Sequence, residues 1–448
     1  MRNGVIKRGV MLAAIMAANF GAAHGQAAPL QLKPTVSDDV AASTAVAVPA
    51  PVVVEDVSTS PRKIKKALAD PYAPTGLDTG GLRLYPTLEV GGVFTSNVTQ
   101  ANTGGKSDFG LRLKPGLRFE SDWSRHSWTG QASADILRYM SNPSLSTLTG
   151  SADTTFRLDI RRTTRADFTA NFVANETGLG DTSLPGTAIE PRRDKSFGAS
   201  VDLVHDFGGL EGAVKLALAR SVYDDVRLSG GGTENNSDRA YIEPSLTLRA
   251  TLGYSDARLR PYAEVAYAPR THDLSVDRNG NRRDSQGFSG ALGVNLNDGP
   301  IWQGDVALTY LVRNYADAGL QAASALGLRG RLGWSPTELL KFEATSGVDL
   351  GETAVAGIGG TKTWSAGLSA TYGLWNNLEA KAGLGVALSN TGSAVTSTTT
   401  ATAGLDWKMN PNMSAGILYQ GTWFGDGTAA GTANYDEQRV MTRVVFKR

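Results

Sequence analysis

Few residues in this chain could do acid, base or nucleophile chemistry. Downstream of residue 25 there are only three histidines, His126, His205 and His272, and there is no cysteine anywhere. Without thiols there are no disulfides, thiolate metal sites or cysteine nucleophiles. A hydrolytic serine needs a His held by a carboxylate within reach of its hydroxyl. Only "RTHDLSVDR" offers that set, with His272 beside Asp273 and Ser275, and a solvated loop histidine explains it more simply. His126 falls in the turn "SRHSW", and His205 shares the apolar face of "VDLVHDF" at the end of a strand. No His, Cys or Asp grouping has metal-ligand spacing. The runs "GGG" (Gly230 to Gly232) and "GIGG" (Gly357 to Gly360) lack the strand-to-helix context of a phosphate cradle. No catalytic, cofactor-binding or metal residue is therefore assigned.

The other chemistry on offer is charge in regular register. In "SDFGLRLKPGLRFESDWSRHSW", from Ser107 to Trp128, Phe109, Leu111, Leu113, Leu117 and Phe119 alternate with Asp108, Arg112, Lys114, Arg118 and Glu120. A period of two makes this a β-strand with one apolar and one charged face. The pattern continues through about eighteen segments after Gly81, an even number within the range of bacterial outer-membrane barrels; sixteen is the alternative. Short turns are expected at "SDWSR", "RRTTR", "DFGG", "GYSDA", "NDGP", "SPTE", "WNN" and "NPN", with mostly longer, polar, Gly-rich connections between them. That alternation describes hairpins with short turns at one end and loops at the other.

Tryptophan separates a bilayer from a dry core. Trp123, Trp128, Trp302, Trp334, Trp375 and Trp407 lie in or beside the short turns, and Trp364 and Trp423 flank long loops. Aromatic bands at strand ends mark the two interfaces of a membrane barrel. The charged face must then converge on a wet interior, because so many ions are too costly to bury dry. The basic pore-lining candidates are Arg112, Lys114, Arg118, Arg157, Arg161, Lys215, Arg249, Arg329, Arg331 and Lys341. Their clustering on the second, fourth and twelfth strands predicts a modest preference for anionic solutes, including acidic saccharides.

One connection is a candidate constriction. "NETGLGDTSLPGTAIEPRRD", from Asn175 to Asp194, is the third long connection and carries Glu176, Asp181, Glu190, Arg192 and Arg193. Folded inward, with Glu190 facing basic wall residues, it would set a transverse field across the pore.

The N-terminus supplies the compartment. Arg2, Lys7 and Arg8 precede the apolar run "VMLAAIMAANFGAA", and "AHG" ends at Gly25, so residues 1–25 read as a secretory signal. Residues 26–80 read as a periplasmic Ala, Pro and Val-rich linker with the short basic segment "PRKIKK", and residues 81–448 as the barrel. A net charge of +1 over 448 residues gives no sign of nucleic acid as a partner.

"DPYAPTG" (Asp70 to Gly76), "GLRLYPTLEVGGVFTSNV" (Gly81 to Val98) and "SDWSRHSW" (Ser121 to Trp128) resemble the outer-membrane β-barrel porin family of alphaproteobacteria. The resemblance implies an all-β, up-and-down antiparallel barrel in the bacterial outer membrane, passing small polar solutes by diffusion, and it brings no catalytic residues. Expected partners are outer-membrane lipid and the barrel assembly machinery. The last strand, "RVMTRVVFKR", sets Val440, Thr442, Val444 and Phe446 on one face but adds Lys447 and Arg448 after the aromatic. The alternatives are a conduit for exported exopolysaccharide, a structural barrel tying the outer membrane to the cell wall, and an outer-membrane hydrolase. Oligomeric state is not legible.

Overall fold

The computed structural model describes residues 71–181, 183–353, 358–392, 394–426 and 434–448. The segments read from sequence as signal and linker, up to residue 70, lie outside the described residues. Eighteen antiparallel strands form a closed barrel. They are β1 (Leu82–Thr95), β2 (Asp108–Ser121), β3 (Ser127–Tyr139), β4 (Thr147–Arg161), β5 (Thr164–Thr177), β6 (Arg192–Asp206), β7 (Leu210–Tyr223), β8 (Tyr241–Leu252) and β9 (Leu259–His272). The circuit continues through β10 (Ser285–Asp298), β11 (Trp302–Tyr315), β12 (Ala323–Trp334), β13 (Leu340–Gly351), β14 (Thr361–Trp375), β15 (Leu378–Thr391), β16 (Ala394–Asn410), β17 (Met413–Asp426) and β18 (Tyr435–Lys447). Each strand pairs with its sequence neighbour. β18 closes the circle on β1 from Thr87↔Lys447 to Thr95↔Arg439, so the sheet has no terminal edge strand.

All eight short turns fall where the sequence places them. In the "DFGG" turn Asp206 Oδ1 accepts from the Gly208 amide at 2.8 Å, and Gly208 and Gly209 take φ of 85° and 100°, a region that glycine enters at little cost. Where the sequence pattern ran to Gly80 without a strand, Leu77 and Asp78 pair with Leu84 and Arg83 of β1. The connection between β15 and β16 is also tighter than expected. Thr391 pairs directly with Ala394, which makes β16, at 17 residues, longer than the stretch "TTATAGLDWK" suggested.

The two faces sort by period two. On β2, Leu111 is 57% exposed on the outer wall, while Arg112 lies on the inner face and bridges to neighbouring strands. Inner and outer are fixed by contacts between non-adjacent strands, which only the concave side permits. The Arg249 guanidinium on β8 reaches Asp305 on β11, and Arg329 on β12 reaches Glu264 on β9. At the short-turn end the outer wall carries stacked rings, with Trp302 and Trp334 centroids 5.4 Å apart and Trp334 and Phe342 5.3 Å apart. Trp128 forms a second aromatic group there, meeting Phe119 edge-on at 4.9 Å and stacking on Trp123 at 6.5 Å between centroids.

Candidate pore and its lining

The inner wall is built from charge pairs. On β2, Arg112 donates to Glu89 on β1 at 2.8 Å and, through Nε, to Asp135 on β3 at 2.9 Å. Lys114 stands opposite Glu89 in register. Arg118 donates to Glu120 at 2.8 Å and lies 3.9 Å over the Tyr85 ring. On β4, Arg157 bonds Asp159 at 3.0 Å. Arg161 instead sits exposed at the turn end, beside a register shift between Asp159 and Arg161.

Farther round, Lys215 is buried opposite Asp202 in register. Arg249 bonds Asp305 at 2.8 Å and covers the Tyr262 ring at 3.6 Å. Arg329 bonds Glu264 at 3.2 Å and the Tyr262 hydroxyl at 3.3 Å, and Arg331 lies 3.1 Å from Glu343. Lys341 is exposed near the start of β13. Arg161 apart, the basic residues of β2, β4 and β12 thus have carboxylates beside them, which removes much of the field that counting cations alone suggested.

The lining also includes Glu89, Asp406 and Arg443, which the sequence alone does not single out. Glu89 joins Arg112 and, at 3.7 Å, Arg443. Asp406 holds Lys381 at 2.8 Å and Arg443 at 2.7 Å. Strict period-two parity on β1, β16 and β18 would have found them, because each sits in phase with an inward neighbour.

The third long loop is shorter than the sequence implied. Glu176 ends in β5, and Arg192 and Arg193 open β6, because the ladder runs on to Thr177↔Arg192. Glu176 and Arg193 pair with one another at 2.8 Å, and Arg192 bonds Asp194 through Nε at 2.6 Å. Glu190 does not face the basic wall. It binds Arg227 of the next loop, with Nε at 2.9 Å, and that contact holds its carboxyl below the usual range. Asp181 accepts from the Ser183 amide at 2.7 Å.

The loop nevertheless bends inward, carried by apolar and small residues. Leu179 packs against a cluster of inward-facing side chains that includes Val93 of β1, Leu137 and Tyr139 of β3 and Met441 of β18. The Gly180 amide donates to Gln100 of the first long loop at 3.1 Å. A Cβ on Gly180 would lie 2.4 Å from the Tyr435 ring of β18.

The histidines also differ from expectation in one case. His126 Nδ1 accepts from the Asp159 amide at 3.2 Å, and His205 Nδ1 lies 2.7 Å from the Thr164 hydroxyl. His272 is not a solvated loop residue. It ends β9 with its side chain buried on the inner face, Nε2 3.6 Å from Glu352 and Nδ1 3.6 Å from Asp284. Asp273, one residue on, points to the opposite face, where it binds Arg220. His272 and Asp273 thus lie on opposite faces, which takes apart the grouping seen in the sequence. Among the described residues no His, Cys, Asp and Glu cluster suits a metal ion.

A second inward feature gathers around Glu352, just past β13. Arg270 of β9 bonds it, and Arg283 lies 3.8 Å away. Burial alone would raise the Glu352 carboxyl, but Arg270 and then His272 more than offset it, holding it well below the usual carboxylate range.

A closed eighteen-strand barrel, apolar outside and charged within, is a porin-like outer-membrane barrel, and its place is the bacterial outer membrane. Within that class the chain belongs to the family described as "Putative beta-barrel porin 2", whose profile matches residues 70–448. Among solved structures, the outer membrane protein OpdK of Pseudomonas aeruginosa aligns at 12% identity and TM-score 0.40, covering 82% of this chain and 99% of its own. The outer membrane channel DcaP of Acinetobacter baumannii aligns at 13% and 0.40, covering 84% and 100%. The FrpB iron transporter of Neisseria meningitidis aligns at 10% and 0.41, covering 83% and 82%. No curated protein matches the chain.

Proposed function

We propose that the barrel is a passive porin that lets small polar solutes diffuse through a water-filled lumen, with no covalent step and no cofactor. The observation that carries this reading is the charged inner wall. A ring of eighteen strands is too wide to be filled by its own side chains, and ionised residues on such a wall need water or partners. The inward loop of Leu179 would form the narrowest passage. Acidic saccharides remain within the proposed solute class, although the paired lining makes ion preference weak. We further propose that residues 1–25 are removed on export, that residues 26–80 serve as a periplasmic linker, and that the assembly machinery inserts the barrel.

The test is single-channel recording of the refolded, signal-less protein in a planar bilayer under asymmetric salt. Large, steady open steps with a reversal potential near zero are expected. A folded, heat-modifiable barrel that passes no current overturns the porin reading. An unchanged current after the loop between β5 and β6 is shortened overturns the constriction.

A further inference from the structure

The wall is not uniformly laddered. β12 pairs with β11 over twelve residues, and β13 pairs with β14 over twelve. Between β12 and β13 the ladder has only five rungs, from Trp334↔Phe342 to Gly330↔Ser346. Gly330, the last rung, has φ of 157°, and a Cβ there would lie 2.1 Å from the Asp305 carbonyl oxygen. The last rung thus sits at a residue where any side chain would strike the backbone of β11.

Past that rung the two strands overlap rather than meet. Val348 and Leu350 alternate with Asp349, which pairs in register with inward Thr363, so both face outward from β13. Yet they pack against Leu311, Ala323 and Ala325, which face inward on β11 and β12. The outer half of β13 therefore lies behind β12, like one board lapped under another. Backbone groups parted from a ladder in lipid must find other partners. Here the Ser346 hydroxyl donates to the Leu328 carbonyl at 2.9 Å, and the Trp364 indole to the Leu326 carbonyl at 2.7 Å. The grip on Glu352 by Arg270, with His272 and Arg283 beside it, holds the end of β13 inside the lumen.

We propose that this lapped seam is a side passage between the lumen and the outer leaflet for uncharged apolar or amphipathic solutes. An apolar joint closed by side chains can part without breaking a ladder, whereas every other strand pair would have to lose its backbone hydrogen bonds. The seam lies toward the long-loop end, at the depth of the outer leaflet, and its lining of Leu, Ala, Val and Trp matches an apolar solute rather than an ion. It is distinct from the polar route along the charged wall.

Because the chain lacks cysteine, the seam can be locked specifically. A Cβ on Gly327 would lie 2.7 Å from the Val348 Cβ, closer than the roughly 3.5–4.5 Å of a disulfide. The pair Gly327→Cys and Val348→Cys then needs only a small parting of the joint. Ala325→Cys with Leu350→Cys is the second lock, and heat-modifiability on gels confirms folding of each.

The readout is uptake of 1-N-phenylnaphthylamine, an uncharged dye that brightens in lipid, by Gram-negative cells expressing the full chain, with single-channel conductance measured in parallel. We expect wild type to take up dye several-fold faster than vector, the oxidised locks to fall to vector level with conductance intact, and reductant to restore uptake. Uptake equal to vector in wild type, uptake unaffected by both locks, or loss of dye and ion flow together overturns the side passage. Conductance without dye uptake leaves the porin reading standing, whereas dye uptake without conductance overturns the porin reading alone.

Discussion

Arg249 on β8 donates to Asp305 on β11 at 2.8 Å, although two strands stand between them in the sheet. Arg313 on β11 likewise reaches Glu243 on β8 at 2.7 Å. These ties cross the concave face and join strands that share no ladder.

The first prediction concerns that tie. Asp305→Ala leaves the Arg249 guanidinium and the Tyr262 hydroxyl, which bonds Asp305 at 2.7 Å, without their carboxylate. Removing one partner of a buried pair costs roughly 3–5 kcal/mol. Urea unfolding in detergent, followed by tryptophan fluorescence, should show a loss of that order. Arg249→Met combined with Asp305→Leu should recover most of it, and a double variant as unstable as the single would show that the loss does not come from stranding the Arg249 charge.

Gly180 makes the second. With the Tyr435 ring 2.4 Å from where its Cβ would stand, Gly180→Val cannot keep the loop between β5 and β6 against the far wall. The loop should move outward, and single-channel current should rise while the barrel's heat-modifiability is unchanged. A smaller current, or none of this, would show that the loop does not limit flow.

Much of this fold was legible because its signals are local. Alternation along β2 needs only neighbours in sequence, and turns such as "DFGG" and "NPN" carry their own glycine and asparagine chemistry. The joint between β15 and β16 was missed because Thr396 to Thr400 are polar on both faces, which erases the period. The loop ends at Glu176 and Arg193 were misplaced because polar strand ends look like loop. Glu352 offered no signal at all. Its partner Arg270 lies 82 residues away, and only closure of the barrel brings the two together. His272 falls to a related cause, since β9 runs on through Pro269, Arg270 and Thr271 and carries it from solvent to the inner wall.

The third prediction follows from Glu352. Its carboxyl titrates lower in the fold than in the unfolded chain, so its contribution to stability is fully present above the unfolded value, about 4.3, and is lost as pH falls below that toward the folded value. Thermal unfolding in detergent should therefore be flat from neutral pH to about pH 5 and fall steeply below about pH 4. Glu352→Gln should flatten part of that fall and lower stability at neutral pH. An identical acid profile in the variant would show that other carboxylates govern it.

Trp334 gives the fourth, and it tests how the short ladder survives. β12 and β13 share only five rungs, and the rung nearest the turn is Trp334↔Phe342. The stack of Trp302, Trp334 and Phe342, with ring planes 15° and 20° apart, ties β11, β12 and β13 together on the lipid side at that same end. Each aromatic pair adds roughly 0.5–1.5 kcal/mol beyond its buried area, and Trp334 belongs to both. Trp334→Ala should therefore lower the temperature of gel-shift conversion clearly, whereas Trp375→Ala, at a residue already 70% exposed, should lower it little. Equal effects from the two would mean that these rings serve only as interfacial anchors, and that the five rungs hold β12 to β13 unaided.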